Sequence, residues 1–206
     1  MILKSKIVTD IANKTCNVDN FGRLELRNKP CGYETSELPM SAVTDVIKDR
    51  VKFVNAKGIW YVSEYDMPNS LLSQIKTEYK VVAGQQVTPW RTDVENVVTG
   101  IMLLKPMETC SGTWTQLFTT KNKEEAENFV KYLKTKFCRL TIKAGYSAYG
   151  RWVNEYLRFC PLQDFTSNSD IDWSKSIEDI DKQLYRKYNL TQEEIDYIEK
   201  TIKPMK

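Results

Sequence analysis

From Asn128 to Asn154 the chain carries not one acidic residue. The same span holds Lys131, Lys134, Lys136, Arg139, Lys143 and Arg151, interleaved with Tyr132, Tyr146, Tyr149 and Trp152. Ammonium and guanidinium groups neutralise phosphates and release their counterions, so this run has the chemistry to grip a polyanion such as duplex nucleic acid. Ala144-Gly145-Tyr146-Ser147-Ala148-Tyr149-Gly150-Arg151-Trp152 adds small residues and rings and reads as a loop able to reach a groove. There an arginine can pair with guanine edges and small polar groups with other bases. A second stretch, Gln85-Gln86-Val87-Thr88-Pro89-Trp90-Arg91, offers amide, hydroxyl and guanidinium groups of the same use.

Catalytic chemistry is much less visible. The chain has no histidine, which excludes Ser-His-Asp and Cys-His hydrolysis and any His-ligated metal. Neither G-x-x-x-x-G-K-[ST] nor G-x-G-x-x-G occurs, so no phosphate-cradling loop is expected. Magnesium nucleases place an acid ahead of a Glu/Asp-x-Lys strand, whereas Glu125-Ala126-Glu127 and Asp179-Ile180-Asp181 lack that wording and fall in helical patterns. Asp170-Ile171-Asp172-Trp173 lacks the glycine and glutamate of a calcium loop and reads as a turn before a helix. No catalytic, cofactor or metal residue is therefore expected in this chain.

The elements that must position the basic run follow from periodicity. One helix is expected from Lys123 to about Cys138, opened by Asn122 with Glu125 and striped by Ala126, Phe129, Val130, Leu133 and Phe137. Lys131 and Lys134 lie off that stripe, so one face can pack while the other presents charge. Leu3, Ile7 and Ile11 give a weaker helical stripe, and Leu71, Leu72 and Ile75 another between Asn69 and Tyr79. Val51 to Val54 and Gly58 to Val62 bracket Asn55-Ala56-Lys57 as a hairpin. Tyr79 to Val82, Val97 to Leu104 and Thr113 to Thr119 read as further strands, and Lys105 to Cys110 precedes the last of them. Near the end, Ile177, Ile180 and Leu184 share a face, and Thr191 with Glu194 opens a last helix carrying Ile195, Ile198 and Ile202. Strands and helices without a βαβ rhythm predict an α+β fold, with a mixed or antiparallel sheet, packed helices and a C-terminal helical pair.

The charge is unevenly spread. The net charge is +3, but residues 164–206 hold ten acids and seven bases, leaving +6 on the remainder. That asymmetry fits a body, residues 1–163, that meets a polyanion, and a helical extension, residues 164–206, that does not. Five cysteines with no C-x-x-C pair argue for reduced thiols and no zinc. No apolar window approaches a membrane span and the start lacks the apolar core of a signal peptide, so a cytoplasmic address and no membrane partner are expected.

The stretch SDIDWSKSIEDIDKQLYRKYNLTQEEIDYIEKTIKPM, Ser169 to Met205, resembles the C-terminal end of bacterial restriction-modification proteins with an adenine-specific DNA methyltransferase domain, sometimes fused to a nuclease. Lys105 to Cys110 resembles a place in that family where a proline-containing turn leads into a threonine-rich strand, which implies a structural turn. Tyr132-Leu133-Lys134-Thr135-Lys136-Phe137 and the turn Lys29-Pro30-Cys31-Gly32-Tyr33-Glu34-Thr35 are similar to its target-recognition region, so the likeness runs from roughly Lys29 to Met205. It implies sequence-specific recognition of double-stranded DNA by this chain. Methyl transfer from S-adenosylmethionine to a flipped adenine would belong to a separate domain or subunit, because the Asn-Pro-Pro-[Tyr/Phe] tetrapeptide that holds the adenine is absent here. On this reading Lys134, Lys136, Arg139 and Lys143 anchor phosphates, and Arg91, Tyr146, Tyr149 and Arg151 meet bases or a groove. The alternative is a docking module for a methyltransferase or nuclease subunit, using the acidic C-terminal helices and Tyr185, Tyr188 and Tyr197.

Overall fold

A computed structural model describes residues 6–15, 32–33, 41–67, 69–84, 98–145, 157 and 160–205. Of the expected contact residues, Arg91, Tyr146, Tyr149 and Arg151 lie outside these, as does the side chain of Lys143. The fold is α+β, with six α-helices and two sheets among the described residues.

The first sheet is mixed, in the order β1 (Gly32–Tyr33), β6 (Glu108–Ser111), β2 (Val51–Asn55), β3 (Gly58–Val62). β6 runs parallel to both of its neighbours, while β2 and β3 form the expected antiparallel hairpin with Asn55 opposite Gly58. The sequence explains that turn locally. The Asn55 carboxamide oxygen accepts from the Lys57 and Gly58 N–H and from the Trp60 indole, at 2.9, 3.0 and 3.1 Å. Gly58 takes φ +152°, where a Cβ is poorly tolerated. The second sheet is antiparallel, with β4 (Tyr79–Gly84) between β5 (Met102–Leu104) and β7 (Trp114–Thr120).

Two strand expectations need correction. Among the described residues of the stretch expected as Val97 to Leu104, only the three of β5 form a strand, and the turn read at Lys105 to Cys110 holds the first three residues of β6. Glu108-Thr109-Cys110 has too little apolar alternation to announce a strand; it is one because β1 and β2 flank it, burying Thr109 and Cys110 completely.

Helix α1 (Lys6–Thr15) buries Val8 and Ile11, and α2 (Asn69–Thr77) buries Ile75 beside Val51, Phe53, Val62 and Met67. The larger core forms where α3 (Lys123–Lys134), α4 (Lys136–Gly145), α5 (Ile177–Lys187) and α6 (Gln192–Thr201) meet the second sheet. Its centre is aromatic. Phe118 stacks on Phe129 with ring centroids 4.8 Å apart, Phe165 meets both edge-on, and Trp173 leans on Phe165 at 5.2 Å. Such pairs each add about 0.5–1.5 kcal/mol beyond the area they bury. Ile180, Leu184, Ile198 and Ile202 enter this same core, so the C-terminal pair is integral to it. A smaller seam of Val82, Leu104 and Cys110, covered by Val54 and Trp114, joins the two sheets.

The expected single helix from Lys123 to Cys138 is two. Thr135, at φ −62° and ψ 148°, is extended and ends α3. Its hydroxyl donates back to the Tyr132 carbonyl at 2.6 Å and accepts the Cys138 N–H at 3.1 Å, so one residue closes α3 and caps α4. At the other end, Asn122 caps α3 through the Glu124 N–H, while Glu125 accepts from the Thr120 hydroxyl and does not complete a box. Thr191 and Glu194 do form the reciprocal capping box of α6.

Candidate nucleic-acid interface

The break at Thr135 decides which cations of the basic run reach solvent. A continuous helix would carry Arg139 opposite the apolar stripe and Lys136 at its edge. Restarting the helix at Lys136 turns that face inward, and every residue from Phe137 to Ile142 is at most 1% exposed. Arg139 is one of them, at 0%. Its Nε donates to the Thr135 carbonyl at 3.2 Å, and burial holds its guanidinium below the ordinary arginine range, opposed by the charge of Asp181. Arg139 therefore cannot anchor a phosphate in this fold, and that expectation is corrected.

Lys136 is largely lost to the same purpose. Its ammonium is paired with the Glu199 carboxylate of α6, and the lysine side chain is only 13% exposed. Lys131 donates to the Trp173 carbonyl at 2.5 Å, tying α3 to the turn before α5. Lys134 differs from these. It is half-buried on the last turn of α3 and has no polar partner among the described residues. Of the four expected phosphate anchors, one is buried and one paired, Lys134 is available, and Lys143 sits in α4 three positions before the acid-free run continues at Tyr146.

Acids that sequence reasoning leaves as surface charge make this arrangement. Asp181, 2% exposed on α5, accepts the Lys136 N–H at 3.0 Å through Oδ2 and the Phe137 N–H at 2.9 Å through Oδ1. Burial raises its carboxyl to about 6 even though both N–H groups favour the ionised form. Glu199 accepts from the Tyr185 hydroxyl at 2.9 Å while holding Lys136. The Tyr185 phenol is pushed well up by burial and by these two carboxylates. Asp181 is findable from sequence. It stands four residues after Ile177 and three before Leu184, inside the apolar stripe, and an acid on a buried face needs partners. Glu199 gives no such sign, because it sits on an exposed position and only the fold brings Lys136 to it.

The docking alternative loses one of its anchors. Tyr185 is 4% exposed, and Tyr188 and Tyr197 pack partly against the larger core. Tyr188 stacks on Phe137 at 5.0 Å. A surface groove of about 730 Å³ runs between α3 and the Trp173-Ser174 turn, but Glu124 and Glu127 line it beside Lys123 and Lys131. Mixed charge of that kind does not suit a polyanion.

Among the described residues no cluster of three or more His, Cys, Asp or Glu side chains could hold a metal, and no helix is long and apolar enough to cross a membrane. Cys138 and Cys160 are buried thiols with Sγ atoms 3.7 Å apart, and burial together with that neighbour pushes the Cys138 thiol well up, away from the reactive thiolate. No protein-family model matches the chain, and no curated protein or solved structure matches it.

Proposed function

We propose that this chain recognises duplex DNA as the target-choosing module of a restriction-modification enzyme. The contact is centred on the residues that follow α4 and flanked by Lys134. One observation carries the reading: a run of 27 residues, Asn128 to Asn154, has no acid. Its first half leads into the capped, buried helix α4, while the half from Lys143 onward holds Lys143, Arg151, Tyr146, Tyr149 and Trp152 with no acid among them. Polyanion binding needs unopposed cations, and among the described residues of this run the acids of α5 and α6 oppose those at the start of α4 and leave Lys134. Lys134 and Lys143 then serve phosphates, and Tyr146, Tyr149, Arg151 and Arg91 serve groove and base contacts. Methyl transfer, with S-adenosylmethionine, is assigned to a separate methyltransferase or nuclease-bearing domain, and the cytoplasm is the compartment that holds its DNA.

Fluorescence anisotropy of the full chain on labelled duplexes tests this. The expected result is affinity that falls steeply with salt, together with enrichment of one sequence motif when a random duplex pool is selected on the chain. Binding that ignores salt, or a pool that stays random after selection, would sink the reading of a sequence-specific module.

A further inference from the structure

Cys138 and Cys160 stand 22 residues apart in sequence, yet the fold sets their Sγ atoms 3.7 Å from each other, in contact. Both residues are 0% exposed and belong to the larger core. Cys110 belongs to a different cluster, the seam with Val82 and Leu104. Polar groups of α4 surround the two thiols. The Cys138 thiol donates to the Cys160 sulfur, and the Cys160 thiol faces the Cys138 carbonyl at 3.7 Å. The Thr141 hydroxyl lies 2.7 Å from that carbonyl and 3.1 Å from the Cys160 sulfur. Thr141 has one proton to donate, and it can turn from the carbonyl to the sulfur when that sulfur becomes an anion.

The pair sits at a joint. Thr135 separates α3 from α4, and the segment that follows Cys160 meets both helices. Helix α3 holds this segment by hydrogen bonds. The Tyr132 hydroxyl donates to the Pro161 carbonyl at 2.7 Å, and the Asn128 carboxamide donates to the Phe165 carbonyl at 2.9 Å. Helix α4 meets it through Cys138.

We propose that Cys138 and Cys160 form a redox latch: a peroxide oxidises them to a disulfide that fastens α4 to the segment α3 already holds. Hydrogen peroxide supplies the balance by accepting two electrons. One cysteine attacks a peroxide oxygen as its thiolate, breaks the O–O bond and becomes a sulfenic acid; the hydroxide released takes up the thiol proton as water. The other thiolate attacks that sulfur, forms the S–S bond and expels a second hydroxide, which takes up the second thiol proton. Two thiols and one peroxide thus give one disulfide and two waters. Burial keeps the pair reduced at rest and holds the Cys138 thiol well up, so the reaction proceeds when the core opens locally. The latch is slow to set and, once set, shielded from reductants by the same packing. It stands apart from the DNA-recognition reading.

The test exposes the reduced full chain to hydrogen peroxide under folding conditions, followed by non-reducing digestion and mass spectrometry. A Cys138–Cys160 cross-linked peptide is expected as the main disulfide product, and dithiothreitol is expected to remove it. A bond across 22 residues restricts the unfolded chain, so the cross-linked protein is expected to melt about 8 °C above the reduced one. Cys160→Ser, treated in the same way, is expected to show no such rise. Peroxide that leaves this pair unlinked in the folded chain overturns the proposal, as does a link that forms only in urea. Cross-linked protein that melts no higher than the reduced form overturns it too. If Cys160→Ser does not fold, the peptide and the melting shift of the unaltered chain decide.

Discussion

Helices α3 and α4 are consecutive, carry three basic residues each, and differ in how they use their charge. The cations of α3 lie at the protein surface: Lys123 pairs with Glu127 on its own helix, Lys131 is tied to a carbonyl, and Lys134 has no polar partner among the described residues. Those at the start of α4, Lys136 and Arg139, are drawn inward and answered by Glu199 and Asp181. One extended residue, Thr135, makes the difference by rotating the second helix against the first. A count of positive charge along a chain therefore measures the supply of cations, and the acids that the fold brings to them decide how many remain for a partner.

That contrast can be broken at its strongest point first. Arg139→Ala removes a fully buried guanidinium and its stem and leaves Asp181 without its nearby positive charge, so a destabilisation of about 3 kcal/mol is expected in urea unfolding. Arg139→Met, which keeps most of the volume, is expected to cost less. Lys134→Ala on α3 is the matched surface change and is expected to stay within about 0.5 kcal/mol. If the two alanine variants are equally destabilised, the burial of α4 is wrong.

Asp181 sharpens the comparison through pH. Its folded-state value of about 6 lies above the 3.8 of an ordinary aspartate, so the folded protein holds this proton more tightly than the unfolded chain does. The group's stabilising contribution is fully present below pH 3.8 and is lost as pH rises through 6. The groups facing it are the Lys136 and Phe137 N–H and Arg139 from α4, Glu199 from α6 and Tyr185 from its own helix. Unfolding free energies across this window are expected to show a decline of about 3 kcal/mol that Asp181→Asn abolishes. An identical decline in the variant would assign it to other carboxylates. The smallest effect belongs to the half-exposed outer pair, where Glu199→Gln is expected to cost about 0.5 kcal/mol, less at high salt.

What is legible in the sequence follows the same division. The β2–β3 hairpin, α1, α2 and both C-terminal helices are readable because apolar spacing and capping residues act locally; Thr191 with Glu194 is the plainest case. β6 is not readable, because its burial depends on two strands far from it in sequence. The break at Thr135 is hidden because its neighbours keep helical spacing across it, and a threonine in mid-stripe looks like any tolerated polar residue. The site suffers from that directly. Arg139 and Lys136 read as surface cations on an unbroken helix, yet removing them together would report on the core and its brace rather than on DNA. Lys134 stands where the stripe places it, off the buried face. Exposed apolar residues tell a related story around the first sheet, where Val46, Ile59 and Tyr65 are 78%, 51% and 99% exposed, while Val51, Phe53, Val62, Met67 and Ile75 form the buried cluster among the described residues.

The proposed DNA contact uses Lys134, Lys143 and Arg151 as its cations. The salt dependence of duplex affinity tests it most directly, comparing the unaltered chain with Lys134→Gln, Lys143→Gln and Arg151→Gln. Removing one phosphate-binding cation is expected to lower the slope of log affinity against log salt by about one. Slopes that stay unchanged in all three variants would contradict the account.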